Sequence, residues 1–200
     1  MSNYHQNIKD ALPDPKRVKK IKKDLESKGV KYIYSNWIDF LGSPKTKPMP
    51  ISDFEDLCAG KGPQFAVHSV SFVPELTPAD NDQIPVPDLD SLVICPWDKT
   101  CAWVFADLYW NDKPYDVCPR MTLKRQIKKC EKSDLKFFVG IEPEFFLMKW
   151  DGDKPVKAID RDPIPLRRQA FGYDAEYSID GMNFLKEIID ILNNDLKWDL

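Results

Sequence analysis

The spacing of apolar residues predicts a helix over residues 15–29. Val18, Ile21 and Leu25 recur at helical intervals, and lysines fill most of the positions between them. We interpret the lysine cluster as a solvated helix face, although a patch that binds a membrane or nucleic acid would show the same pattern. The preceding residues, 1–14, are polar and interrupted by prolines, which predicts a flexible arm.

Extended segments dominate the next part of the chain. β-Branched and aromatic residues on either side of a Gly-Ser-Pro turn predict a hairpin over residues 30–50, and Ser52 is expected to begin a short helix. Residues 63–90 carry five prolines and predict a long irregular connection. Two strands are expected after it, at residues 91–97 and 101–110.

The remaining pattern alternates helices with extended chain. Residues 119–134 predict a helix with proline at its first position, and residues 136–150 form the strongest strand pattern in the chain. A charged and proline-rich excursion follows over residues 151–171. An amphipathic helix is then expected over residues 178–197.

Composition restricts the classes of function. With 29 Lys and Arg against 32 Asp and Glu, the net charge is −3, which argues against a protein that tracks the nucleic-acid backbone. The chain is 42% hydrophobic, enough to form a core, and its 17 prolines against 8 glycines argue against long helical bundles. It contains neither a signal-peptide core nor a span of about 18 apolar residues, so we expect a soluble protein without a membrane partner.

The cysteines indicate a reducing compartment. Their number is odd, they are scattered, and only two histidines accompany them. This pattern argues against a disulfide framework or a zinc site and favours the cytoplasm. The five are Cys58, Cys95, Cys101, Cys118 and Cys130.

Two carboxylates mark the predicted strand 136–150. Glu142 and Glu144 alternate with apolar residues, so they share one face of that strand, and Pro143 between them suggests a sheet edge. Two adjacent buried carboxylates need a cation, and their oxygen atoms suit Mg²⁺ or Mn²⁺ better than zinc. A solvated strand face, or arginine partners, would explain the same spacing without a metal.

Three motifs in the chain resemble the glutamine synthetase family, and they occur in that family's order. Residues 88–97, with the run DLDSL and then Pro-Trp, resemble the end of its N-terminal β-grasp domain. Asp107 and residues 113–120, before a basic helix, resemble its link into the catalytic domain. Residues 140–145 resemble the glutamate pair on its first catalytic strand.

The resemblance implies an α+β fold and a division of the chain. After the arm, residues 15–112 would form a β-grasp domain, and residues 113–200 would form the first part of a catalytic domain. It also implies ATP-dependent ligation of glutamate with ammonia or an amine, in which the γ-carboxylate is phosphorylated and the amine then displaces phosphate. Glu142 and Glu144 would hold Mg²⁺ or Mn²⁺. A full-length member is expected to form a homo-oligomeric ring.

One branch of the family fits the details best. The VPDLDSL run, and Tyr173-Asp174 followed by a helix ending in the pattern L-x-W-D, resemble type III-like glutamine synthetases and γ-glutamylmethylamide synthetases. In ordinary members a loop of the β-grasp domain presents an aspartate that helps to deprotonate ammonium. Here Ala66 stands at that position, so the catalytic residues stay unknown. The resemblance therefore makes an alkylamine at least as plausible a co-substrate as ammonia.

The family places further metal ligands, and the residues that bind glutamate and phosphate, after the last motif matched here. We therefore expect this 200-residue chain to be truncated and inactive alone. A non-catalytic β-grasp module that associates with a full-length ring is the alternative, with His68 as a contact or as an ordinary loop residue. Unrelated metal binding by a stand-alone α/β protein would require the resemblance to be accidental.

Overall fold

The computed structural model describes residues 8–71, 75–158 and 175–197. The chain forms two compact units, Met1–Lys136 and Phe137–Leu200, which we call the N-terminal and C-terminal units. The structure does not test the predicted division at residue 112. Of the predicted arm, residues 8–14 are described, and there Ile8 is buried in a cluster with Ile84 and Val86.

Helix α1 of the N-terminal unit confirms the helical periodicity near residue 15. Its first residue is Pro15, and the side chain of Asp14 accepts a hydrogen bond from the Arg17 backbone N–H at 3.1 Å, which caps the helix. Gly29 follows its end with φ of +84°, a left-handed conformation that suits glycine. The helices of this unit are α1 (Pro15–Ser27), α2 (Phe54–Cys58), α3 (Val67–Ser71) and α4 (Pro119–Lys132).

Seven strands form one curled sheet in this unit. The hairpin β1–β2 has the predicted position, and β6 pairs with β1 in parallel and with its other partners antiparallel. The first half of β6 pairs with β1 and β5, and its second half pairs with β4 and β7. Strand β6 therefore connects the two parts of the sheet. The strands are β1 (Tyr32–Ile38), β2 (Pro44–Pro50), β3 (Phe65–Ala66), β4 (Asp82–Pro87), β5 (Val93–Ile94), β6 (Cys101–Trp110) and β7 (Lys113–Pro114).

Strand β4 corrects the prediction of an irregular connection over residues 63–90. Its prolines favoured a loop because proline cannot donate to a strand ladder. In the structure, Pro85 and Pro87 lie opposite Leu108 and Ala106 of β6, whereas β3 pairs with β4 only at Asp82 and Gln83. The two prolines therefore lie in the part of β4 that pairs with β6 and not with β3.

The largest core cluster lies between helices α1 and α2 and the sheet. Phe54 and Leu57 of α2 are fully buried, and they pack with Val18 and Leu25 of α1 and with Ala102 and Val104 of β6. The alternating burial along β6 shows that one face of this strand points into the core. The sheet and these helices therefore share one hydrophobic interior.

The C-terminal unit contains a hairpin and a helix among its described residues. They are β8 (Met148–Asp151), β9 (Lys154–Lys157) and α5 (Ala175–Asp190), which continues as a π-helical turn at Ile191–Asp195. The helix predicted over residues 178–197 is thus present, with an earlier start. Tyr173 and Asp174 lie outside the described residues. In the described parts of both units, no helix is long and apolar enough to cross a membrane.

The predicted strand 136–150 is wrong over most of its length. Residues 135–147 have no regular secondary structure, and pairing begins only at Met148. A strand needs a neighbour for its backbone groups, and the C-terminal unit pairs only β8 with β9 among its described residues. The apolar side chains of this segment are exposed, with Phe146 at 93% and Ile141 at 84%.

Candidate functional site

Four charged side chains meet where helix α4 approaches the sheet, and we call them the ion cluster. Arg120 and Lys124 lie one turn apart on α4, Asp107 lies on β6, and Asp88 follows β4. Arg120 donates from Nη2 to Asp88 Oδ2 at 2.6 Å and from Nε to Asp107 Oδ1 at 3.1 Å. Lys124 Nζ donates to Asp88 Oδ2 at 3.1 Å and also to Asp107 Oδ2. Each cation therefore bridges both carboxylates.

The ion cluster is partly shielded from solvent. The side chain of Asp107 is 14% exposed and that of Asp88 is 23% exposed, and the Arg120 guanidinium lies 5.6 Å from the Phe105 ring centre. Burial alone would raise the pKa of Asp88, but the hydrogen bond and charge of Lys124 and the charge of Arg120 lower it. Burial would likewise lower the pKa of Lys124, but Asp107 and Asp88 raise it. Both groups are thus held in their charged forms.

These pKa shifts predict how stability depends on pH. A carboxylate with a lowered folded pKa stabilises the fold above its ordinary value of 3.8, and this contribution is lost as pH falls through the folded pKa. A lysine with a raised folded pKa stabilises the fold below 10.5, and this contribution is lost as pH rises through the folded pKa. We therefore expect the urea midpoint to fall below about pH 4 and above about pH 10.

Asp88→Asn should flatten the acid side of this profile relative to the parent chain, because it removes the titrating carboxyl group. The matched control is Asp90→Asn, since Asp90 also pairs with an arginine, Arg17, but its side chain is 83% exposed. Equal flattening by both variants would contradict the assignment of the acid limb to the ion cluster.

The loop predicted to carry the family's aspartate is anchored in the N-terminal unit. Phe65 stacks on Trp37 with ring centres 4.0 Å apart and planes 6° apart, and Val67 is fully buried. Lys47 Nζ donates to the backbone oxygen of Gln64. These contacts hold Ala66 between a stacked ring and a buried side chain.

Ala66 is partly buried and carries no ionisable group. Directly opposite it in the β3–β4 ladder lies Asp82, which is exposed and which the sequence pattern did not single out. His68 lies in helix α3, partly buried, with Nε2 3.3 Å from Ser69 Oγ. The register of the β3–β4 ladder places Asp82 beside Ala66. The sequence did not reveal this proximity because it did not predict strand β4.

Glu142 and Glu144 lie in the irregular segment of the C-terminal unit, and both are exposed. The strand face and the burial that the sequence predicted for this pair are therefore wrong, because residues 135–147 form no strand. The role of the two glutamates as metal ligands stays a prediction. Within the parts of the chain that the structure describes, no group of three or more His, Cys, Asp and Glu side chains is placed to hold a metal. The two carboxylates suit Mg²⁺ or Mn²⁺ in chemistry, but they are too few to complete an octahedral shell.

Three of the motif residues meet within the N-terminal unit. Asp88, Asp107 and Arg120, which the resemblance marked separately, converge in the ion cluster. Lys124 was not singled out, although its position four residues after Arg120 places both on one helix face. Ala66 and the glutamate pair belong to different units of the chain.

Comparison with known proteins gives consistent matches. Residues 116–196 match the catalytic domain of glutamine synthetase. The glutamine synthetase of Rhizobium meliloti (strain 1021) is 33% identical over 171 residues, which cover 86% of this chain and 37% of that protein. The glutamate–methylamine ligase of Methyloversatilis universalis is 32% identical over 127 residues, which cover 62% of this chain and 28% of the ligase.

Solved structures support the fold. A GmaS/ADP complex aligns with a TM-score of 0.67 and 25% identity, and the alignment covers 86% of this chain and 38% of that one. A GmaS structure without ligand aligns with a TM-score of 0.64 at 21% identity. The mixed α/β fold with its curled sheet is therefore of the kind seen in these structures.

The sequence matches identify the family within that class of fold. The chain belongs to the glutamine synthetase family. It spans 37% of the Rhizobium meliloti protein and 28% of the methylamine ligase. Membership of this family excludes the alternative that the chain is an unrelated, stand-alone metal-binding protein.

Proposed function

We propose that the chain supplies part of an ATP-dependent ligase that joins glutamate to ammonia or an alkylamine through a γ-glutamyl phosphate. The observation that carries this proposal is the match of residues 116–196 to the glutamine synthetase catalytic domain, since this region contains both Glu142 and Glu144. The N-terminal unit would contribute the β-grasp domain predicted for residues 15–112. A homo-oligomeric ring and a cytoplasmic location belong to the same proposal.

The proposed metal ligands are Glu142 and Glu144. A divalent cation, when bound, neutralises charge on a transferring phosphoryl group. The two carboxylates would supply hard oxygen ligands, and their exposure leaves them accessible to a cation. We derive no catalytic step from this pair, because two carboxylates alone leave most of the coordination shell to other groups.

The amine is proposed to be ammonia or a small alkylamine. Ala66 offers no carboxylate for deprotonating ammonium, and Phe65 beside it is fixed by its stack on Trp37. This arrangement favours an amine that does not need the usual aspartate. The match to a glutamate–methylamine ligase supports the same alternative.

We expect the purified 200-residue chain alone to release no phosphate from ATP in the presence of glutamate, Mg²⁺ and either ammonium or methylamine. The physical reason is the incomplete ligand set at Glu142 and Glu144 among the described residues. Phosphate release and amide formation should be measured together, with Glu142→Gln/Glu144→Gln as the control variant.

Turnover that needs glutamate and one amine, and that the double variant loses, would contradict the inactivity of the chain and would identify the amine. ATP hydrolysis that is independent of glutamate would contradict ligase chemistry for this chain.

A second candidate function is a non-catalytic module that joins a full-length ligase ring. The exposed apolar side chains of residues 137–146 favour it, because several large apolar groups left open to water in one segment mark a candidate contact with another protein. Phe137, Phe138 and Phe146 are each at least 78% exposed.

A further inference from the structure

Cys95 and Cys101 occupy opposite positions at the end of the β5–β6 hairpin. The ladder pairs Val93 with Trp103 and Ile94 with Ala102, so the next pair in register is Cys95 with Cys101. The Cys95 backbone N–H donates to the Cys101 carbonyl at 2.9 Å, which shows that the register continues to this pair. Opposite residues in an antiparallel pair direct their side chains to the same face.

This spacing is compatible with a disulfide. The Cα atoms of directly opposed residues in an antiparallel ladder lie about 4.5–5.5 Å apart, and disulfides span Cα distances of about 4.4–6.8 Å. Both cysteines are free thiols and both are buried. The ladder register therefore places two buried, unbonded thiols opposite each other.

A short turn connects the strands that carry the pair. Residues 97–100 are exposed, and Trp97 packs edge to face on Trp103 with ring centres 5.2 Å apart. Within the turn, Cys101 N–H donates to the Asp98 carbonyl at 3.0 Å, and Cys101 Sγ donates to Asp98 Oδ2 at 3.3 Å. An exposed turn at the end of a hairpin is a region where local opening can admit a small reagent.

We propose that Cys95 and Cys101 are a reversible dithiol–disulfide site, oxidised by low-molecular-weight disulfides. The thiolate of one cysteine attacks a sulfur of the reagent, which breaks the reagent's S–S bond and releases one reagent thiolate. The second cysteine then attacks the mixed disulfide as a thiolate and releases the other reagent thiolate. The two cysteines are oxidised by two electrons, and their two protons pass to the two reagent thiols.

The surroundings of the pair make this oxidation slow at neutral pH. Burial is the main cause that raises the pKa of the Cys95 thiol, and the nearby Cys101 and Asp98 raise it further, while Lys99 opposes them. Tyr34 of β1 also faces the pair, and a hydrogen bond with Cys101 raises the pKa of its hydroxyl group. Because the thiolate is the reacting form, the rate should increase about tenfold from pH 7.5 to pH 8.5.

The test is treatment of the folded 200-residue chain with oxidised glutathione, followed by blocking of free thiols and tryptic mapping. Cleavage after Lys99 separates Cys95, in peptide 62–99, from Cys101, in peptide 100–120. The expected product is a cross-link between these two peptides, lost on reduction. In the folded chain this cross-link should be the main one, whereas the same chain unfolded in urea should give a mixture of pairings among its five cysteines.

Matched variants assign the bond, because peptide 100–120 also contains Cys118. Cys118→Ser should retain the cross-link, and Cys101→Ser should abolish it. Cys95→Ser provides a second test of the same pair, in case the change at Cys101 disturbs the hairpin. Glutathione retained on Cys95 or Cys101 without a cross-link would overturn the proposal. So would a cross-link that survives in Cys101→Ser, or one that makes up no larger share of the products in the folded chain than in urea.

Discussion

The double variant Arg120→Met/Lys124→Met is expected to lower the free energy of unfolding of the N-terminal unit by about 2–3 kcal/mol. Removing one partner from a fully buried ion pair costs about 3–5 kcal/mol, since it leaves a charge in a poorly solvated place. Here the four side chains are 14–40% exposed, so water offsets part of that cost. Methionine preserves the apolar stems, which isolates the loss of charge.

Urea unfolding at pH 7, followed by circular dichroism, measures this effect. The matched control is Arg125→Met on the same helix, because Arg125 pairs with Asp116, whose side chain is 91% exposed. That change should cost about 0–1 kcal/mol. Equal losses in the two variants would mean that the ion cluster stabilises the fold no more than a surface pair does.

The single variants test whether the cations act as one network. Arg120 and Lys124 each contact both carboxylates, so either cation alone leaves Asp88 and Asp107 with one partner. The loss in the double variant should therefore exceed the sum of the two single losses. Additive losses would indicate two independent pairs.

Helix α1 and the hairpin β1–β2 could be predicted because their information is local. The capping aspartate, the proline at the first helical position and the left-handed glycine all lie within the segment that they shape. Helix α4 likewise begins at Pro119, as its sequence predicts. Sequence signals within each segment were sufficient in these cases.

Strand β4 and segment 135–147 show where local information ends. The prolines of β4 argue against a strand, but its ladder with β6 provides the partner that makes it one. Segment 135–147 has a strong strand pattern, yet pairing starts only at Met148. Strand formation depends on a partner that is distant in sequence, and neither pattern contains that information.

The candidate site, too, could be predicted from the sequence only in part. Residue types alone indicated Glu142 and Glu144 as metal ligands, and the family motif strengthened this prediction. The ion cluster depends on α4 meeting β6, a tertiary contact, so Lys124 was missed and the convergence of Asp88, Asp107 and Arg120 could not be foreseen.

Glu142→Gln/Glu144→Gln is expected to weaken Mn²⁺ binding to the chain at least tenfold. In the parent chain, two carboxylates without further protein ligands should bind the ion with a dissociation constant on the order of 1 mM, as open oxygen sites do. Glutamine keeps the side-chain shape and removes the negative charge. The change therefore reports on electrostatic attraction and ligation alone.

The matched control uses a second acidic pair with the same spacing in the same unit. Asp151 and Asp153 are both exposed and flank Gly152 in the β8–β9 turn. The family motif marks Glu142 and Glu144 and does not include this pair. Asp151→Asn/Asp153→Asn also removes two negative charges, so its effect on Mn²⁺ binding measures the contribution of net charge alone.

Paramagnetic broadening of amide NMR signals by Mn²⁺ tests the proposed metal site most directly, because it locates the ion along the chain. We expect broadening to centre on residues 140–146, to disappear in Glu142→Gln/Glu144→Gln, and to persist in Asp151→Asn/Asp153→Asn. Broadening centred elsewhere, or unchanged by the glutamate variant, would contradict the assignment of Glu142 and Glu144 as the metal ligands of a glutamate–amine ligase.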